Sequence, residues 1–259
     1  METGRSEIQD NMASWNEIAD SPAYAGQRVF VIEREGTRFW IKRGAKDYRN
    51  ALQRLLPPWG SPLETEIHSL QSLSAHGVLV PELIHRGSNF IVLSDIGENL
   101  HDSLRQSDLA TQRMLLTSLA QELSLLHGSG RWHGNALLRN FTWMDQRIGL
   151  LDLENTEHPN WPLGLKHAYD IWQVLFSLGK MRNGAALIRH FLAAYQPATP
   201  ARRSVRVTAC MLAPLYAPFA LCKPVLPHAA APVMVALSAF IFIAPRQTKN
   251  IRQSRYTDA

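Results

Sequence analysis

An α+β fold of two lobes is what this sequence predicts, and three observations carry the prediction. Strand segments and one strong helix occupy residues 28–93, mostly helical segments follow to residue 196, and the composition then changes abruptly. The expected organisation is a small β-rich N-lobe at 1–93, a mainly helical C-lobe at 94–196, and an apolar, basic C-terminal tail at 197–259. With 259 residues, 46% hydrophobic and 19% charged, the chain can build a sizeable core and lacks the signature of global disorder.

The first residues, to about position 25, are polar and without periodicity, which fits loose packing or one short helix. Val29-Phe30-Val31-Ile32-Glu33 and Arg38-Phe39-Trp40-Ile41-Lys42 read as strands, with Glu35-Gly36-Thr37 as the hairpin turn between them. Tyr48 to Leu56 looks like a short helix stopped by Pro57-Pro58. Ser61 is placed to cap a helix that has Pro62 in its first turn, runs with Ile67, Leu70 and Leu73 on one face, and ends at Gly77. Two short strands follow, Glu82 to His85 and Phe90 to Leu93, turning at Gly87-Ser88-Asn89. Leu109 to Leu126 contains no helix breaker and aligns Leu115, Leu119, Leu123 and Leu126 in one stripe. Ile148 to Leu151 is a short buried strand with Asp152 at its end, and Lys166–Leu178 and Ala185–Tyr195 are further helices.

The net charge of +5 belongs to the tail. From Ala201 onward eight basic residues face one acid, which leaves the first 200 residues at −2. A body so close to neutral argues against a nucleic-acid footprint. Eight of the 15 prolines lie in the last 63 residues, which also hold two apolar stretches, Ala209–Leu221 and Ala229–Ala244. Both fall short of a membrane span, but basic residues at either end suit a hairpin at the inner-membrane surface. The last helices of the C-lobe, or out-of-frame sequence, would leave a similar pattern. Cys210 and Cys222, both in the tail, imply no disulfide framework, and with no signal-like N-terminus the expected setting is cytoplasmic.

Chemistry is written most clearly between residues 133 and 154. Histidine, any residue, aspartate, four residues, asparagine is the spacing of a kinase catalytic loop, whose aspartate accepts the substrate hydroxyl proton and whose asparagine holds magnesium. Here His133, Asn135 and Asn140 fill those positions, so an amide stands where the carboxylate belongs. Asp152 follows at the distance that a turn and a short strand need to return to the same metal. An amide oxygen from Asn140 and a carboxylate from Asp152 are hard ligands suited to magnesium. An incidental polar loop would look alike, so the upstream order decides. Lys42 ends a strand, as a phosphate-binding kinase lysine does. Glu66 lies on the next strong helix, where a lysine-pairing carboxylate is expected, with Glu64 as the runner-up.

Glu66-Ile67-His68-Ser69-Leu70 with Gly77-Val78-Leu79-Val80-Pro81, then His133-Gly134 through Asn140, then Asp152-Leu153-Glu154, together resemble the bacterial lipopolysaccharide core kinase group. That group is related to the RIO/Bud32-type and aminoglycoside-phosphotransferase-type kinases, and the match runs over residues 28–195. The resemblance implies a protein-kinase-like fold, ATP and magnesium as cofactors, and a sugar hydroxyl of a cell-envelope glycolipid as acceptor. On it, Lys42 would bind the α/β phosphates and Glu66 would hold Lys42. Asn140 and Asp152 would ligate magnesium, and backbone groups of Ser94-Asp95-Ile96-Gly97 would meet the adenine. His133 would brace the loop, and Asp170-Ile171-Trp172 would supply the family's buried aspartate.

Two departures qualify the expectation. No glycine-rich phosphate loop is visible, since Ala25-Gly26-Gln27 and Glu35-Gly36-Thr37 offer one glycine each. Asn135 cannot take a proton at neutral pH, so a slow kinase and a nucleotide-binding pseudokinase scaffold are both compatible with the chain. Glu154 is the candidate to compensate, being two residues past Asp152 and on the same strand face if the strand continues. A serine/threonine protein kinase ranks third, because no activation segment is recognisable between Glu154 and Lys166.

Overall fold

The structure, a computed structural model, describes residues 15–44, 62–156 and 161–196 together with residues 218, 221 and 233. It is α+β, with a sheet in the N-terminal part and mostly helices in the C-terminal part. The expected helix at 48–56, the Ser61 cap and the tail, except for residues 218, 221 and 233, lie outside the described residues. The chain divides into two units: Met1–Gly97 with Leu151–Asn155, and Glu98–Leu150 with Thr156–Ala259.

In the first unit, β1 (Val29–Arg34) and β2 (Thr37–Arg43) form the expected hairpin. Its turn is the two residues Glu35 and Gly36, at φ 53° and 74°. Two left-handed residues give the turn whose twist matches the strands, and Thr37 already belongs to β2. α1 (Pro62–Ser74) follows, ended by Gly77 at φ 75°, where the Val78 amide donates to the Leu73 carbonyl at 3.2 Å. β3 (Leu83–Arg86) and β4 (Phe90–Ser94) complete an antiparallel sheet in the order β1-β2-β4-β3. One core of this unit joins Phe30, Ile41, Phe90 and Val92 to Trp15 and Ala19 from a helical turn at residues 15–19. Strand alternation sends Ile41 into that core and Lys42 to the opposite face. α1 buries Leu63, Ile67, Leu70 and Leu73, and Glu66 is buried with them.

The second unit opens with β5 (Glu98–Asn99) and α2 (Leu100–Gln106), where the Asn99 side chain accepts from the His101 amide and donates to the Arg139 carbonyl. α3 (Leu109–Gly128) is capped by Asp108, whose carboxylate accepts from the Thr111 amide at 2.8 Å. Its stripe of Leu115, Leu119, Leu123 and Leu126 is buried as the periodicity predicts. After a loop come β6 (Phe141–Met144) and β7 (Arg147–Leu150), which pair with β5 in the order β5-β6-β7. α4 (Leu163–Gly179) and α5 (Gly184–Ala194) complete the unit, and α5 packs on both α3 and α4. β5, α2 and β6 are additions to the expected elements. Among the described residues, no helix is long and apolar enough to cross a membrane.

Candidate functional site

Lys42 is the hub of an ion cluster in the first unit. Its Nζ lies 2.7 Å from Glu66 Oε2, 2.8 Å from Asp152 Oδ1 and 2.8 Å from Glu154 Oε1. The same Glu154 oxygen pairs with Arg28. Burial alone would pull the Lys42 ammonium below the usual lysine range, but attraction by Glu66, then Asp152 and Glu154, outweighs it and holds it above. Burial pushes the Glu66 carboxyl up, and Lys42 offsets part of that rise. A buried ion pair of this kind is a weak source of net stability. Its physical effect is a lysine held charged in one place. Glu64, the other helical candidate, pairs instead with Arg86 at 2.6 Å, with both side chains exposed.

Asp152 reaches the cluster through an unusual backbone. β7 ends at Leu150 and Asp152 has φ 59°, a left-handed conformation that aspartate tolerates better than most residues. The strand therefore does not continue, and the expected shared strand face of Asp152 and Glu154 does not exist. The two carboxylates meet at Lys42 because the chain turns. Asp95 is held by neighbours of its own: Oδ1 accepts from Trp40 Nε1 at 2.8 Å, Oδ2 lies 3.7 Å from Arg38, and its amide donates to the Arg38 carbonyl at 3.3 Å.

In the second unit the loop from His133 to Asn140 is tied down largely through its main chain. The buried His133 ring uses Nε2–H to donate to the Asn140 carbonyl, so its Nδ1 is free to accept from the Asn135 amide, each at 3.3 Å. The Asn135 carbonyl accepts from Asn140 Nδ2 and from the Leu137 amide, both at 2.8 Å. Gly134 sits at φ 81°, where a side chain would be strained.

α4 supplies the anchor. Asp170 accepts from the His133 amide at 2.6 Å and the Gly134 amide at 2.9 Å, Gln173 accepts from the Ala136 amide at 2.7 Å, and the Ser177 hydroxyl accepts from the Leu138 amide at 3.3 Å. Positions 170, 173 and 177 lie on one helical face. The same Asp170 accepts from His127 Nε2 at 3.1 Å, which leaves His127 Nδ1 to accept from the Tyr195 hydroxyl at 2.6 Å. Sequence reasoning singled out Asp170 but missed Gln173, Ser177, His127 and Arg28. The signal for two of them was present, since Gln173 and Ser177 are polar residues set within the apolar face of α4.

The His127 ring stacks on His167 at 4.3 Å. His167 Nε2 donates to the Arg131 carbonyl at 2.9 Å, and its Nδ1 is buried with no hydrogen-bond partner among the described residues. A second proton has nowhere to go. Burial, then the neighbouring His127, push the His167 imidazole down to about 4. Because the folded value lies below the ordinary one, the stability from the neutral ring is complete above pH ~6.5 and is lost as pH falls toward ~4. Unfolding in that window should take up about one extra proton, and His167→Gln should remove it. Potentiometric titration alongside thermal unfolding measures this, and equal uptake by both proteins would refute it.

No protein-family model matches the chain. It is 25% identical over 140 residues to an uncharacterized protein of Haemophilus influenzae, a stretch that covers 52% of this chain and 57% of that protein's own length. Among solved structures, the complex of gentamicin with APH(2″)-IIa is similar at 10% identity with a TM-score of 0.47, covering 84% of this chain and 89% of the other. These likenesses leave the family open.

Proposed function

We propose that the protein is an ATP- and magnesium-dependent phosphotransferase of the protein-kinase-like kind, acting on an alcohol acceptor. The observation that carries this is the charged, buried Lys42, held by Glu66 and shared with Asp152. A lysine fixed by a helical glutamate beside a carboxylate meets two demands of phosphoryl transfer, a placed cation for phosphate oxygens and an anion for the metal. The order of elements around it is a second support. The lysine strand, the glutamate helix, two strands, the long helix, the loop and the returning aspartate follow one another as a kinase requires.

Among the described residues, no group of three or more His, Cys, Asp or Glu side chains is arranged to hold a metal by itself. Magnesium asks for less, since one or two carboxylates complete its shell together with substrate phosphates and water. Asp152 fits that demand, being an oxygen donor about one-third exposed and already drawn to a cation. When bound, magnesium and nucleotide would supply the phosphoryl group and neutralise its charge. By the sequence resemblance, Lys42 would orient the phosphates, Asp152 and Asn140 would have the metal roles, and His133 would keep the loop in register. On the same resemblance the Ser94–Gly97 segment around Asp95 would receive the adenine, and Asn135 would stand where the catalytic base belongs.

For the acceptor we favour a sugar hydroxyl of a cell-envelope glycolipid at the inner-membrane surface, on the lipopolysaccharide-kinase resemblance of residues 28–195. One feature favours a second reading. Asn135 removes the general base, and a nucleotide-responsive pseudokinase scaffold would retain everything else.

Thermal unfolding with ATP, with and without magnesium, is the test. Saturating MgATP is expected to raise the midpoint by about 5–10 °C, as a ligand at roughly 100 times its Kd does in a chain of this size. Asp152→Asn is the informative variant. Asparagine accepts the left-handed backbone at 152, so the substitution removes the charge without straining the turn. It should keep the parent's midpoint without ligand and lose the magnesium-dependent part of the rise. A parent protein indifferent to ATP would end the nucleotide-site hypothesis.

A further inference from the structure

In a kinase the phosphate charge is met partly by backbone amides of a glycine-rich loop, which joins two strands before the lysine strand. This chain offers no such cradle among its described residues. Among the described residues a single strand, β1, precedes the lysine strand. The segment leading into β1 keeps its amides for itself: those of Tyr24, Ala25 and Gln27 donate to the carbonyls of Ser21, Pro22 and Tyr24, and that of Ala23 to the Ser21 hydroxyl. The β1–β2 turn is no substitute, because it carries the carboxylate of Glu35. If a triphosphate binds beside Lys42, side chains must supply the missing positive charge.

One side chain is placed to do so. Arg28, immediately before β1, pairs with the Glu154 oxygen that also contacts Lys42. Guanidinium and ammonium thus sit on either side of a single carboxylate oxygen, close enough to serve neighbouring oxygens of one polyphosphate. The Arg28 Nε is buried and has no hydrogen-bond partner among the described residues, so the guanidinium holds a donor in reserve. Its planar fork suits phosphate better than any other side chain does. The cluster as a whole contains the cations Arg28 and Lys42 against the anions Glu66, Asp152 and Glu154. Glu154 acts as a placeholder anion, occupying between the two cations the place that a phosphate oxygen would take.

We propose that Arg28 is a polyphosphate ligand, taking over from side-chain distance the task that loop amides perform in kinases with a glycine-rich loop. The inference rests on the nucleotide-site reading above and deepens it. It follows that Arg28 should distinguish nucleotides by phosphate count while leaving the nucleoside end untouched.

Isothermal titration of the full chain with AMP, ADP and ATP in magnesium is the experiment, run on the parent, Arg28→Ala, Arg28→Lys and Glu154→Gln. Arg28→Ala should weaken ATP about 10- to 100-fold, the range of one or two charge-assisted hydrogen bonds, with AMP unchanged and Arg28→Lys in between. Glu154→Gln should bind ATP at least as well as the parent, because it frees the guanidinium. An equal loss for ATP and AMP, or a Glu154→Gln protein that shows the same ATP loss as Arg28→Ala, would overturn the proposal in favour of Arg28 as a prop for Glu154. An unchanged ATP-to-AMP ratio in Arg28→Ala would overturn it as well. A parent that binds none of the three fails at the earlier step, the nucleotide site itself.

Discussion

Asn135→Asp is expected to raise phosphotransfer or ATP-hydrolysis turnover by about 10²–10⁴-fold, the contribution of one positioned general base. The structure keeps the backbone of this residue out of the exchange. The described contacts that shape the loop at this residue use its main chain: the amide donates to His133 Nδ1, and the carbonyl accepts from Asn140 Nδ2 and from Leu137. Exchanging an amide for an isosteric carboxylate leaves those bonds in place and changes the chemistry of one group. The gain should fall on kcat, since the base acts only as the hydroxyl loses its proton, while KM for ATP stays within a few-fold. Single-turnover assays on parent and variant read the difference. A variant that binds MgATP normally yet turns over no faster would remove residue 135 from the chemistry and leave the scaffold reading in possession.

Glu154 does not offer an easy substitute for that base. Its carboxylate is bound to both Arg28 and Lys42. The sequence made it a candidate through strand alternation, and that argument failed for a specific reason. Alternation holds only while the backbone stays extended, and Asp152 turns left-handed two residues after β7 ends. No periodic pattern encodes such a turn. Lys42 and Glu66 were legible because each sits on a regular element whose period assigns a face. Asp170 was legible as a carboxylate inside an apolar helix. Arg28 was not, since it precedes a strand in a segment without period, and its partner is 126 positions away in the chain. The short elements β5, α2 and β6 escaped for a related reason: two to seven residues give too few repeats for a period to show. What sequence pattern supplies is the face of a long element, and what it lacks is the pairing of irregular segments.

The second large effect is one of stability, and it lies at Asp170. This fully buried carboxylate receives the amides of His133 and Gly134 and the Nε2 proton of His127. Asp170→Ala strips all three donors of their buried acceptor. Each stranded buried donor costs about 1–3 kcal/mol, so after relaxation the loss should reach about 3–5 kcal/mol, a large part of the stability of an ordinary domain. Asp170→Asn should fall between, because the amide oxygen can keep one donor while its NH2 group opposes another. Urea unfolding measures the loss, and amide hydrogen exchange at His133 and Gly134 locates it. The two readouts separate anchoring from bulk packing. Removing a well-packed side chain of the same helix, as in Val174→Ala, lowers stability without freeing those amides, since Val174 is buried but is not bonded to the loop. If Asp170→Ala cost less than about 1 kcal/mol, with His133 and Gly134 still protected, Asp170 would not be what holds the loop, and its neighbours on α4, Gln173 and Ser177, would have to carry it.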